Sequence, residues 1–324
     1  MARLLSTLLG LSAAAALAAE PVTLKLGSLA PRESPWGQVL RAWVKAVKER
    51  TQGGVVIEVF WNGSQGDEAA QLSKLKTGQL DGAVVTGVGL SLFDPTVNVL
   101  QVPGLYQSWA QLDAVRSALA PRFEANFDTL GLVLVGWGDV GLDRWMSKGF
   151  ALASPEDFKG KRPWVWREDA LLPAVYQAAT VVPVATGVPE VLPELSTGNV
   201  NALSISALGA EQLQWASRLD HVSSAIVAPN IGGMVLTKAR LEALPKEHRA
   251  IVLETGRLTC QALTTRIRTE DEKAFERLKA RMTVVTPTPA QAAQWKELYA
   301  EARARLAKGA LPAALLQEVE TLLK

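Results

Sequence analysis

Two short segments read almost alike: Leu75-Lys-Thr-Gly-Gln-Leu-Asp81 and Leu195-Ser-Thr-Gly-Asn-Val-Asn201. In each, Thr-Gly stops a helix, because glycine takes the left-handed conformation after a helix end that other residues resist. An apolar strand follows each and ends near a glycine, at Thr86-Gly87-Val88-Gly89 and at Ser206-Ala207-Leu208-Gly209. The elements around the two segments also recur in one order. Thr23 to Leu26 reads as a strand, Pro35 to Arg50 as a helix, Val55 to Phe60 as a strand, Asp67 to Thr77 as a helix and Gly82 to Val85 as a strand. Later, Arg162 to Trp166, Asp169 to Ala178, Val181 to Val184, Pro189 to Thr197 and Ala202 to Ile205 repeat the plan. A chain that carries β-α-β-α-β twice belongs to the α/β class, with two doubly wound sheets.

The helix readings rest on spacing and on end signals. Trp36, Leu40, Trp43, Val44 and Val47 fall on one helical face. Ser34 then stands at the N-cap with Pro35 at the first helical position. Between the repeats, Leu132 to Trp137 and Leu142 to Ser147 read as strands joined by Gly138-Asp-Val-Gly141, and after the second repeat Gly232 to Thr237 reads as another; these are the expected crossings between lobes. Pro245 to about Met282 reads as one long helix, and Pro289 to Lys324 as a helical tail.

The first residues read as an address. Arg3 precedes an apolar run from Leu4 to Leu17, and small residues at Ala18 and Ala19 precede Glu20-Pro21. This is the layout of a secretory signal peptide over residues 1–19, too short to span a bilayer. The expectation is a soluble exported protein with its mature start at Ala19 or Glu20. A formal net charge of +2 removes the electrostatic case for nucleic acid or acidic membrane surfaces. The lone Cys260 allows no internal disulfide and reads as a buried small hydrophobe. With two histidines beside it, His221 and His248, it is a thin kit for a metal centre or a nucleophile. No G-x-S-x-G, H-E-x-x-H, paired cysteines or phosphate loop occurs. Gly136 to Gly141 follows a strand but opens no helix, so a nucleotide phosphate would lack a helix N-terminus. No cofactor, metal or catalytic residue is therefore expected.

In open α/β sheets, ligands bind beyond the carboxyl ends of the strands, and two facing lobes share one cleft. That places candidate ligand contacts within Leu29 to Trp36, Thr86 to Gly89, Trp164 to Arg167 and Ser204 to Ser206. The residues singled out are Leu29, Glu33, Trp36, Thr86, Gly87, Trp137, Asp139, Arg144, Trp164, Trp166, Ser204, Ser206 and Asn230. Trp164 and Trp166, two apart on a strand, share a face with Arg162. Trp43, Trp215 and Trp295 read as packing residues in helical stretches.

Several motifs, in order, resemble one family. Phe60-Trp-Asn-Gly-Ser-Gln-Gly66, Leu75 to Asp81, Val102-Pro-Gly-Leu105, Asp157-Phe-Lys-Gly-Lys-Arg162 and Leu195 to Asn201 are similar to those of the solute receptors of tripartite ATP-independent periplasmic (TRAP) transporters, of the C4-dicarboxylate-binding type. The likeness covers nearly the whole mature chain. It implies a two-lobed periplasmic-binding-protein fold of type II kind with long C-terminal helices. It also implies a small-molecule ligand and two integral membrane subunits as partners, with a periplasmic location. Lobe I is expected over residues 20–146 and 229–268, and lobe II over 147–228 and 269–324, with a hinge near Ser147 and Ala228-Pro229.

One departure bears on the ligand. Where the family's Ile-Arg-Val carries the carboxylate-pairing arginine, this chain has Pro163-Trp164-Val165, so Trp164 takes the arginine's place. The family's Asp-Gly-x-Glu-Asn is also changed, to Asn201-Ala-Leu-Ser-Ile205-Ser206. A second family arginine is matched by Arg144, and Arg162 or Arg167 could fill the vacancy. The resulting expectation is a transport receptor, not an enzyme, whose ligand is bulkier or more apolar than a C4-dicarboxylate. A ligand-binding sensory protein and an enzyme on the same fold remain the alternatives.

Overall fold

The computed structural model describes residues 20–324. The signal peptide expected over residues 1–19, with its cleavage point after Ala18 or Ala19, lies at or before the edge of the described residues. The chain is a two-lobed α/β protein. Strand β1 (Val22–Ser28) leads into helix α1 (Pro35–Arg50), whose first turn is capped by the Ser34 hydroxyl accepting from the Gly37 N–H at 3.2 Å. Then come β2 (Val55–Phe60), α2 (Glu68–Lys76) and β3 (Gly82–Thr86). Asp67 caps α2, and Gly78 follows its end at φ 72°, as the Thr-Gly signal requires. Strands β2 and β3 both pair parallel with β1, which makes the first β-α-β-α-β unit. The short α3 (Gly87–Ser91) and the long α4 (Trp109–Thr129) follow.

Strand β4 runs unbroken from Leu132 to Ser147, where the sequence suggested two strands and a turn. The glycines that looked like a turn serve as irregularities: the register against the partner strand shifts between Leu134 and Gly136 and again between Asp139 and Gly141. Such bulges bend a strand without ending it.

The second unit comprises β5 (Trp164–Trp166), α5 (Leu172–Ala178), β6 (Val184–Thr186), α6 (Val191–Thr197) and β7 (Ala202–Ser206). It is less regular than the first. Helix α5 starts three residues later than expected, because Asp169 turns its carboxylate onto the Leu171 and Leu172 N–H groups. Strand β6 is displaced from 181–184 because Thr180 adopts φ 55° and leaves Val182 85% exposed. Strand β5 begins at Trp164, and Arg162 stays outside it.

The remaining elements are α7 (Ala207–Gln212), β8 (His221–Ser223), β9 (Ala228–Thr237), α8 (Lys238–Glu242), α9 (Lys246–Lys279), β10 (Thr283–Val285), α10 (Pro289–Leu306) and α11 (Ala313–Leu322). The main sheet has the order β10-β8-β4-β9-β3-β1-β2, with β7 also paired to β4, while β5 and β6 form a small parallel sheet. Strands β4 and β9 thus carry the sheet from one unit to the other. Helix α9 packs on α1, β4 and α7, and the Trp43 indole donates to Thr255 Oγ1 at 3.1 Å. Helix α10 brings Trp295 and Tyr299 into an aromatic cluster with Trp145, Phe158 and Tyr176. Among the described residues, no helix is long and apolar enough to cross a membrane.

Candidate functional site

A cavity of about 190 Å³ opens between the two units. Leu29 and Pro31 after β1, Trp36 on α1, Glu68 on α2 and Thr86 at the end of β3 line it from one side. Trp164, Trp166, Asp169, Val188, Ser204 and Trp215 line it from the other. Asp139 and Asp143 of β4, with Ala228, Pro229 and Asn230 of β9, form its floor where the crossing strands run through. Contacts also pass directly between the two sides. The Trp166 indole N–H donates to Asp67 Oδ2 at 3.0 Å, and the Val188 N–H donates to the same oxygen at 3.2 Å.

The tryptophans form one wall. Alternation on β5 directs both Trp164 and Trp166 to this face, with ring centroids 6.4 Å apart and planes at 26°. Trp215 meets Trp164 edge-on, centroids 5.2 Å apart. The Trp164 N–H is spent on Thr186 Oγ1 at 3.1 Å, so this indole offers the cavity a π-face and no free donor.

The polar groups are acidic. No Arg, Lys or His is among the lining residues, whereas Glu68, Asp139, Asp143 and Asp169 are. Asp139, with 0% exposure, is neutralised: its carboxylate accepts from Arg116 and Arg268, each at 2.7 Å, and both arginines also hold Asp113. The other three have no cationic partner among the described residues. Glu68 accepts from the Thr86 N–H at 2.7 Å and its hydroxyl at 2.9 Å; burial nevertheless pushes its carboxyl up to about 8. Burial, with Asp271 and Asp169 nearby, pushes Asp143 up to about 7 against the amide bonds it receives from Asn230. Burial likewise raises Asp169.

Eight of the sequence candidates line the cavity: Leu29, Trp36, Thr86, Asp139, Trp164, Trp166, Ser204 and Asn230. Five stand elsewhere. Glu33, 72% exposed, pairs with Arg41. Gly87 is buried in α3, where an added Cβ would lie 2.3 Å from Gln101 Oε1. Trp137 packs edge-on against Phe123, ring centroids 5.5 Å apart, and is not among the lining residues. Ser206 has no exposure; its hydroxyl caps α7 through the Gly209 N–H. Arg144 points to the opposite face of β4 from Asp143, lies 3.9 Å over the Phe275 ring and donates to the Ser224 carbonyl at 2.5 Å. The other two substitutes for the missing arginine are also committed away from the cavity, Arg162 to the Gly198 carbonyl and Arg167 to Glu190.

Sequence reasoning passed over Glu68, Asp143, Asp169 and Trp215, all of which line the cavity. Period-2 alternation along β4 does not signal Asp143, because the register shifts between Asp139 and Gly141. Cys260 lies on the inner wall; burial raises its thiol to about 12, which leaves it an inert small hydrophobe. Among the described residues, no cluster of His, Cys, Asp and Glu is arranged to hold a metal ion.

Known proteins share this architecture. A TRAP periplasmic solute-binding protein from Sulfurospirillum deleyianum, solved with bound succinate, superposes with a TM-score of 0.86 at 18% identity, over 93% of this chain and 99% of that one. An extracytoplasmic solute receptor of Bordetella pertussis that binds pyroglutamic acid superposes with a TM-score of 0.85 at 21% identity, over 93% and 99%. A solute-binding protein of Verminephrobacter eiseniae is 22% identical over 274 residues, 83% of this chain and 81% of its own. The model of the bacterial extracellular solute-binding proteins, family 7, matches residues 26–309. With that match over most of its length, the chain belongs to the DctP family, the bacterial extracellular solute-binding proteins of family 7.

Proposed function

We propose that this chain is the periplasmic receptor of a TRAP transporter whose ligand is bulkier or more apolar than a C4-dicarboxylate. After export and removal of residues 1–19, it captures the ligand between a lobe of residues 20–146 and 229–268 and a lobe of 147–228 and 269–324. It closes by a hinge near Ser147 and Ala228-Pro229, then hands the ligand to two integral membrane subunits. The ion gradient drives transport, and this chain uses no nucleotide.

The carrying observation is the tryptophan wall, Trp164, Trp166 and Trp215, in a cavity whose lining has no cationic side chain. A carboxylate buried without a partner costs several kcal/mol. A loss of about 3 kcal/mol already weakens binding more than a hundredfold. Apolar ligand area against the indoles returns roughly 25 cal/mol per Å². Titration calorimetry tests this. Succinate, malate and fumarate are expected to bind only weakly. Micromolar succinate binding that survives Trp164→Ala would overturn the reading.

A further inference from the structure

We propose that the ligand is an organic cation, an ammonium group on an apolar or aromatic body, held with its charge toward Asp143 and Asp169 and its body against Trp164, Trp166 and Trp215. This rests on the reading of the chain as a solute receptor and names the charge of what it receives.

The cavity's charge inventory carries the argument. Every arginine near it is already committed. Arg116 and Arg268 close a four-membered network with Asp113 and Asp139, two charges of each sign. Arg144 faces away, over Phe275. What the lining then offers is Glu68, Asp143 and Asp169, with nothing positive to meet them. An anionic ligand would enter a space lined by carboxyl groups, with no cationic side chain to pair it. A cation favours the charged form of these carboxyls and then forms charge-assisted hydrogen bonds with them, about twice as strong as neutral ones.

Two independent features point the same way. The Ser204 hydroxyl, in a residue 4% exposed, lines the cavity and has no hydrogen-bond partner among the described residues, so it is free to accept from an ammonium N–H. The wall is built of indoles, and a cation over a tryptophan face is the most favourable of the cation–π contacts. Asp143 itself is aimed rather than buried at random: Asn230 donates to both its oxygens, at 3.1 and 3.3 Å. The raised value of Asp143 follows from the same geometry, since burial, Asp271 and Asp169 all disfavour its anion in the empty cavity. The groups facing it are Asp169, Asp271 from α9, the Asn230 amide and the Ser206 backbone N–H; Arg144, on the far side of the strand, reaches Asp271.

The test compares three matched probes on the full mature protein, 2-phenylethylammonium, 2-phenylethanol and phenylacetate, with succinate alongside, by calorimetry at about pH 8, where the amine is charged. The ammonium is expected to bind at least tenfold more tightly than the alcohol and more tightly still than phenylacetate. Asp143→Asn should weaken the ammonium far more than the alcohol and bring the two to one level. Asp169→Asn, in which the amide oxygen can still accept from Leu171 and Leu172, should weaken the ammonium alone. Lowering the pH through 7 should weaken the ammonium more in the native protein than in Asp143→Asn. The inference falls if the alcohol or phenylacetate matches the ammonium, if the ammonium does not bind, or if both variants leave its affinity unchanged. Tight succinate binding would instead remove the underlying reading of the ligand class.

Discussion

The Trp166 indole and the Asp67 carboxylate meet at 3.0 Å, 99 residues apart in sequence and from opposite sides of the cavity. Asp67 does two jobs at once. Its Oδ1 caps α2 through the Glu68 N–H, while its Oδ2 takes the Trp166 and Val188 donors. Asparagine keeps the cap but loses the charge and places an NH₂ group against one set of donors. Hydrogen bonds to a charged group contribute about 1.5–3 kcal/mol. Asp67→Asn should therefore leave the fold intact, increase the radius of gyration of the unliganded protein in small-angle scattering and weaken ligand binding about tenfold or more. Unchanged scattering and affinity would show that this contact does not hold the two sides together.

Asp139 lines the cavity, yet its carboxylate is fully used by Arg116 and Arg268. It acts on the framework of the site. Removing one partner of a buried ion pair costs about 3–5 kcal/mol, because the other charge is left uncompensated. Asp139→Asn should lower stability to urea by that order, with Arg116 and Arg268 retaining only Asp113. A variant of near-native stability whose only defect is in ligand binding would place Asp139 among the ligand contacts instead.

The cavity carboxyls give the unliganded protein a distinctive pH dependence. Glu68, pushed up to about 8, and Asp143, pushed up to about 7, keep protons in the folded state that the unfolded chain releases near 4. Between those values the folded state holds more protons, so stability falls as pH rises from about 4 to about 8. Asp220 works at the other end. Burial alone would raise it, but bonds from the Gly149 N–H, His221 and Lys148 outweigh that and bring it to about 2. Its stabilisation is present above its unfolded value and is lost as pH falls toward 2. Melting temperatures of the unliganded protein should thus peak on the acid side of neutrality. Asp143→Asn should flatten the decline toward pH 8, and a decline of undiminished slope would count against the raised carboxyl.

How much of this was legible depended on whether the signal was local. Helix α1 was readable to the residue, since Ser34 and Pro35 mark its start and its apolar spacing does the rest. The shared face of Trp164 and Trp166 followed from a period of two. The choice between Asp143 and Arg144 did not follow, because the irregularity between Asp139 and Gly141 resets which residues of β4 face the cavity. Reading the glycines as a turn hid that reset. Trp215 was missed for a related reason: Gln214 adopts φ 63°, an uncommon choice for a side-chain-bearing residue, and the chain turns there to bring the indole against Trp164. Glu68 is seen as a site residue only once β3 and α2 are placed side by side.

The irregularity in β4 can be probed at Gly141. Its φ is 144°, and a Cβ there would lie 2.4 Å from Ser206 Cβ and 2.7 Å from Asp271 Cγ, so both backbone and packing demand glycine. Asp271 is itself committed, accepting from the Leu142 N–H at 2.9 Å and the Leu208 N–H at 2.9 Å; it thereby ties α9 to β4 and α7 behind the cavity. An alanine at 141 must push that carboxylate aside. Gly149 makes the control: its φ is 78°, and no atom lies within 4 Å of an added Cβ. Gly149→Ala should cost only the left-handed backbone penalty, about 1–2 kcal/mol. Gly141→Ala adds overpacking of about 1–3 kcal/mol to its own backbone strain. Denaturant unfolding should therefore rank Gly141→Ala as the more damaging. Ligand affinity should fall with it and stay native in Gly149→Ala, because only Gly141 adjoins the strand segment that carries Asp143. Equal losses of stability in the two variants would mean that the contact between β4, Ser206 and Asp271 is loose enough to yield, and that the register of β4 is set elsewhere.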